Sequence, residues 1–253
     1  MSSNVPKRVE QPPQAPCEES GSDPNAAEPR STRITSEEFA TRLRGFKRLG
    51  LLAILVILAG NLIVKPLSAV LVLPWVMLSR TPWREIGYVR PKSWAREIAI
   101  GVVFGGLFKL VMKALVMPLF GAPAINPAFH YLAGNTAALP GILLAVMISA
   151  GFGEETFYRG YLFERFGKLF GASVIAKIAI VVITAAWFGA VHFPKQGLAG
   201  VEQAMIGGLV FGAIFAVTGR IWMLMIAHAA FDITAVAMIY WDLESYVAHL
   251  IFK

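Results

Sequence analysis

The sequence predicts an all-α integral membrane protein, a bundle of six to eight transmembrane helices behind a disordered N-terminal tail. Three observations carry this expectation. The chain of 253 residues is 56% hydrophobic and only 15% charged, whereas soluble domains average roughly 25% charged. Its apolar residues arrive in long runs, such as Ile98 to Leu119, Ser173 to Phe193 and Ile221 to Tyr240, each near the roughly 20 residues that cross a bilayer. The first 45 residues instead are rich in Pro, Ser, Glu and Asn with almost no apolar periodicity, and such a segment cannot bury enough apolar surface to offset the entropy of ordering it.

Residues 1–45 are therefore read as a disordered cytoplasmic tail and 46–253 as a polytopic membrane domain. The basic clusters Arg42, Arg44, Lys47, Arg48 and Arg80, Arg84, Arg90, Lys92, Arg96 flank the first apolar stretch. The positive-inside rule puts both on the cytoplasmic side, which implies a multi-pass protein of the cell (inner) membrane with its N-terminus in the cytoplasm. The net charge of +7 thus serves topology and contact with the lipid bilayer, and no nucleic-acid partner is expected. With both clusters on one side, Leu49 to Leu78, broken at Lys65-Pro66, reads as a tight or partly re-entrant helical hairpin. Further helices are expected at about 97–118, 138–168, 173–192, 200–218 and 220–241.

Gly101 with Gly105 and Gly208 with Gly212 stand at the helical spacing that lets backbones approach closely in lipid. Gly121 to Pro140, with its prolines, glycine and asparagine, is the largest expected loop. Lys109 and Lys113, one turn apart in an apolar run, are expected to snorkel to the interface. Trp83, Trp94, Tyr240 and Trp241 suit interfacial anchoring. Cys17, the single cysteine, excludes an internal disulfide and a Cys-based metal motif. Chemistry must then come from carboxylates, histidines or hydroxyls.

Ionisable groups inside apolar spans cost about 2.5–3.5 kcal/mol each on insertion scales, so they invite a functional explanation. The first cluster is Glu154-Glu155-Thr156-Phe157-Tyr158-Arg159. On a continuing helix Glu155 and Arg159 stand at i and i+4 with the acid first, the favourable order for an ion pair, while Glu154 points away and stays free. In the second, Phe188 and His192 share a face. In the third, Asp232 lies one turn beyond His228 and is placed to fix its tautomer. One free glutamate and two histidines on three helices suffice for hydrolysis: Glu154 takes a proton from water, and the imidazoles stabilise the oxyanion or ligate a metal.

In this order the clusters resemble the EExxxR, FxxxH and HxxxN/D motifs of the CPBP family, which includes CAAX prenyl proteases of the Rce1 type and bacterial Abi proteins. The resemblance covers roughly Trp83 to Tyr240, a core of about 83–240. It implies an intramembrane endopeptidase that cleaves membrane-associated, CAAX-like or leader-peptide substrates. It further implies Glu154, His192 and His228 as catalytic residues and Glu155, Arg159, Phe188 and Asp232 as supporting ones. Asp232 stands where the prenyl proteases often carry Asn, and the change adds a charge.

His192 and His228 are candidate ligands for zinc, and whether a metal takes part stays open on the sequence. Two other classes also stay open. A non-catalytic immunity or scaffold protein of the same fold would not need Glu154, and a proton-coupled transporter would use the Glu/His set as a relay. A shared site requires Glu154, His192 and His228 to converge within about 10 Å, and hence Phe193 to Gly200 to dip into the protein, where irregular backbone is tolerated.

Overall fold

In the computed structural model, which describes residues 34–252, every regular element is helical. Of the tail expected over 1–45, residues 1–33, with Cys17, lie outside the described residues. The expected disorder does not extend to residue 45, because Ser36–Arg44 forms a first helix, α1. Its two buried residues, Ala40 and Leu43, give it an inward face, and Glu38 pairs with Arg42 one turn on, 2.5 Å away.

The stretch broken at Lys65-Pro66 is a helical hairpin of α2 (Arg48–Ile63) and α3 (Leu67–Leu78). Ser68 staples its tip: its backbone N–H donates to Asn61 Oδ1 (3.0 Å), its Oγ accepts from the Asn61 N–H (3.0 Å), and its hydroxyl donates to the Ile57 carbonyl (2.5 Å). The tip residues Leu62, Ile63 and Val64 are exposed. Beyond the hairpin run α4 (Trp94–Leu119), α5 (Thr136–Phe170), α6 (Val174–Ala190), α7 (Phe193–Thr218), α8 (Trp222–Tyr240) and a short C-terminal α9 (Glu244–Ala248).

Four helices among the described residues, α4, α5, α7 and α8, are long and apolar enough to cross a membrane, and α1 with α2, bent by 59°, makes a fifth if the pair is one span. That is fewer than the six to eight expected. The shortfall has local causes: the hairpin is cut at Lys65-Pro66, and α6 stops before Phe193-Pro194, where the proline sits in the first turn of α7. The outer surface is strongly apolar, with Leu55, Leu62, Ile175 and Val217 all exposed, a distribution that a water-soluble monomer avoids. The chain is a multi-pass membrane protein.

Small residues set the helix crossings, as packing in lipid favours. A Cβ on Gly105 would fall 2.1 Å from the Ala227 carbonyl oxygen, so α4 lies directly against α8. One on Gly208 would fall 2.9 Å from Ala185 Cα, bringing α7 against α6, and one on Gly151 would meet the Met225 carbonyl at 2.9 Å, bringing α5 against α8. At one end of the bundle the two basic segments meet. Arg44 donates twice to Glu85 (2.8 and 2.7 Å), Lys168 approaches the same carboxylate at 3.2 Å, and Arg165 pairs with Glu164 while donating to the Arg44 carbonyl (2.8 Å).

Lys109 and Lys113 do not snorkel. Both are buried: Lys109 donates to Gln203 Oε1 (2.8 Å) and Lys113 to Glu244 Oε1 (3.0 Å). Inward partners cost less than leaving an ammonium in lipid. Glu244 also accepts from the Asn126 backbone N–H at 3.2 Å, so α9 ties down the loop between α4 and α5.

Candidate active site

The middle of α5, Val146–Leu162, has π winding, a rare arrangement that is frequent at functional sites. Glu154, Glu155 and Arg159 lie on it. The Gly151 crossing sets this segment against α8, and one turn further along Glu155 reaches His228. Its Oε1 is 2.7 Å from His228 Nδ1 and 2.8 Å from Arg159 Nη1. The expected Glu155–Arg159 pair is therefore present, and its side chains are 0% and 2% exposed.

The hydrogen bond to His228 that was expected of Asp232 is made by Glu155. A carboxylate accepting from Arg159 has only acceptor capacity, so His228 Nδ1 carries the hydrogen and donates it. Asp232 makes no hydrogen bond to His228 among the described residues; it lines the cavity beyond the ring. Phe188 and Phe211 enclose the assembly, with the Arg159 guanidinium 5.0 and 5.6 Å from their rings and the His228 ring 5.9 and 5.5 Å from them. Phe211 was not marked by any motif. Its sequence signal is no more than an aromatic residue between Gly208 and Gly212 in an apolar run.

His192 ends the turn after α6. Its Nδ1 lies 2.7 Å from the Phe188 carbonyl oxygen, which can only accept, so this ring too carries its hydrogen on Nδ1. The rings of Phe188 and His192 sit 4.7 Å apart. Rather than trailing outside, Phe193 begins α7 at once, and Gly197, at φ 62°, breaks its first turns. That left-handed backbone suits glycine, and it leaves Lys195 and Gln196 on the cavity wall.

Glu154, His192 and His228 line one cavity of about 270 Å³ together with Phe188, Asp232, Lys65, Lys109, Lys195, Asn126 and Gln203. Glu154 faces two ways: Oε2 is 3.8 Å from His228 Nε2 and Oε1 is 3.9 Å from Lys65 Nζ. Neither is a direct hydrogen bond, and at such separations a water molecule hydrogen-bonded to the carboxylate is in reach of both groups. Lys65 comes from the hairpin tip and was missed at sequence level, where it marked only an interruption.

The candidate zinc ligands His192 and His228 do not gain a third partner. Among the described residues no three His, Cys, Asp or Glu side chains stand as a metal-holding group. The residues as placed do not fit a zinc site, so the chemistry below runs through protein groups alone.

Residues 136–234 match the family described as type II CAAX prenyl endopeptidase Rce1-like. This segment of the chain is similar to an Rce1-like domain. The match spans less than half of the chain but contains every motif residue, from Glu154 to Asp232. No curated protein and no solved structure matches the chain. The matched family is one of endopeptidases, whereas the hairpin that brings Lys65 lies outside the matched residues.

Proposed function

We propose that the protein is an intramembrane endopeptidase in which Glu154 activates the attacking water and His192 and His228 serve the same cavity. The observation that carries this reading is the convergence of the three side chains, from α5, the α6–α7 turn and α8, on one cavity inside an apolar bundle. Membrane-associated proteins or peptides are the substrates that such a cavity can receive, the CAAX-like and leader-peptide types included.

The chemistry follows from the hydrogen positions. Glu154 removes a proton from water as the oxygen attacks the scissile carbonyl, a role worth roughly 10² to 10⁴ in rate. His228 has committed its Nδ1 hydrogen to Glu155, which leaves Nε2, 3.8 Å from Glu154, free to take that proton and deliver it to the leaving amine. Arg159 fixes Glu155, Glu155 fixes the ring, and Phe188 with Phe211 prevents the ring from turning. Such second-layer fixing keeps a proton relay in register.

Membrane proteomes of cells producing wild type and Glu154→Gln test the reading. An uncut precursor that accumulates only with the variant is expected. Identical processing in both would end it and favour a scaffold, whereas pH-dependent flux without cleavage would favour a transporter.

A further inference from the structure

Hydrolysis of a peptide bond needs a donor for the oxygen that becomes anionic, and the preorganised donor is often the largest single contribution to the rate. The cavity holds the neutral donors Ser149, Asn126, Gln196 and Gln203, and among its ionisable groups the choice narrows. His192 and His228 both spend their Nδ1 hydrogens on oxygen acceptors, so in their neutral forms the remaining ring nitrogens are acceptors. Asp232 as a carboxylate also only accepts. Lys109 Nζ is held by Gln203 at 2.8 Å and sits 4.8 Å over the Phe231 ring. Lys195 Nζ rests 4.2 Å over Phe129. The cation within a water's reach of the base is Lys65, 3.9 Å from Glu154 Oε1, half-exposed and lining the cavity.

The placement of Lys65 is built into the packing. Its neighbour Pro66 lies against Gly153, the residue before Glu154, so closely that a Cβ on Gly153 would fall 2.4 Å from Pro66 Cβ. The Ser68 hydrogen bonds hold the tip of the hairpin in shape. Two adjacent contacts therefore register the α2–α3 hairpin against α5, one between the Pro66 ring and Gly153 and one between charges.

Resting on the hydrolase reading, we infer that Lys65 is a catalytic residue that donates a hydrogen bond to the oxyanion, so that the hairpin outside the Rce1-like domain completes its active site. In the step, water loses a proton to Glu154 and its oxygen bonds to the carbonyl carbon. The carbonyl π pair moves to oxygen, where Lys65 Nζ–H donates without giving up its proton. On collapse the C–N bond breaks, and the proton taken by Glu154 reaches the departing nitrogen through His228 Nε2. The products are a carboxylic acid and an amine.

The test uses the full chain in proteoliposomes with the precursor that accumulates in Glu154→Gln cells. Lys65→Met keeps length and loses the charge, and Lys65→Arg restores a donor. The expected result is a kcat about 10²-fold lower for Lys65→Met, the usual loss for one oxyanion donor, with KM within about threefold and partial recovery in Lys65→Arg. A Lys65→Met kcat within twofold of wild type overturns the assignment while leaving the hydrolase reading in place. So does a loss confined to KM, which would make Lys65 a docking residue. If wild type and Glu154→Gln cleave equally, the hydrolase reading falls and this assignment falls with it. Because Lys65 is exposed, Lys65→Met should match wild type in size-exclusion profile and thermal unfolding, which separates lost chemistry from lost folding.

Discussion

His228 Nδ1 and Glu155 Oε1 are 2.7 Å apart although 73 residues separate them in the chain. The same oxygen holds the Arg159 guanidinium at 2.8 Å, so one buried carboxylate fastens two helices and orients the His228 ring. Removing one member of a buried ion pair typically costs about 3–5 kcal/mol, because its partner is left uncompensated. Arg159→Met should therefore destabilise the protein by about that much. The double variant Arg159→Met with Glu155→Gln should lose less, since no unpaired charge remains. Thermal unfolding in detergent of the two variants would decide it; equal losses would argue that the pair matters only for packing.

Glu155 and Asp232 divide the labour differently from the order of the motifs. Glu155→Gln should lower cleavage by about 10- to 100-fold, the usual effect of disturbing a group that orients a catalytic histidine. Asp232→Asn should lower it less, because the His228 tautomer is already fixed. Initial rates on one precursor compare them. A larger loss for Asp232→Asn would mean that Asp232 touches substrate or reacting atoms.

The ion pairs at the end of the bundle predict an acid sensitivity. Burial alone would raise the Glu85 carboxyl, but hydrogen bonds and charges from Arg44 and Lys168 outweigh it and hold the group below its ordinary value of 4.5. A carboxyl depressed by folding contributes stability above its unfolded pKa, and that contribution is lost as pH falls through the folded value. Wild type should thus unfold at a higher temperature than Glu85→Gln at pH 7, and the gap should close as pH drops below about 4.5. A gap that is constant between pH 7 and pH 3.5 would sink the assignment. Stability should also fall in high salt, since the Glu85 side chain is 32% exposed.

Much of the helix plan was legible, because long apolar runs and the small residues at Gly105 and Gly208 report lipid burial and close crossing directly. The Glu155–Arg159 pair was legible too, being local. What depends on contacts between distant segments was not. Nothing near Lys65 in sequence shows that Pro66 docks on Gly153, and the inward turn of Lys109 depends on Gln203 from another helix. The hydrogen-bond partner of His228 was hidden for the same reason: proximity along α8 suggested Asp232, and the π-wound α5 brings Glu155 to 2.7 Å.

The hairpin docking itself can be tested through a glycine. Gly153→Ala places a methyl group 2.4 Å from Pro66 Cβ and 3.1 Å from the Ile148 carbonyl oxygen, and neither a proline ring nor a helix backbone can swing aside. Overpacking of this kind costs about 1–3 kcal/mol, and here the yielding element is the hairpin tip that carries Lys65. The variant should therefore lose activity mainly in kcat, as Lys65→Met does, and combining the two should cost little more than either alone. Gly167→Ala, on the same helix with open space around its Cβ, is the control. It should keep full activity and gain up to about 1 kcal/mol in stability, the usual advantage of alanine over glycine in a helix. If Gly153→Ala and Lys65→Met instead multiply, the two substitutions act on separate steps, and the hairpin tip does not position the lysine.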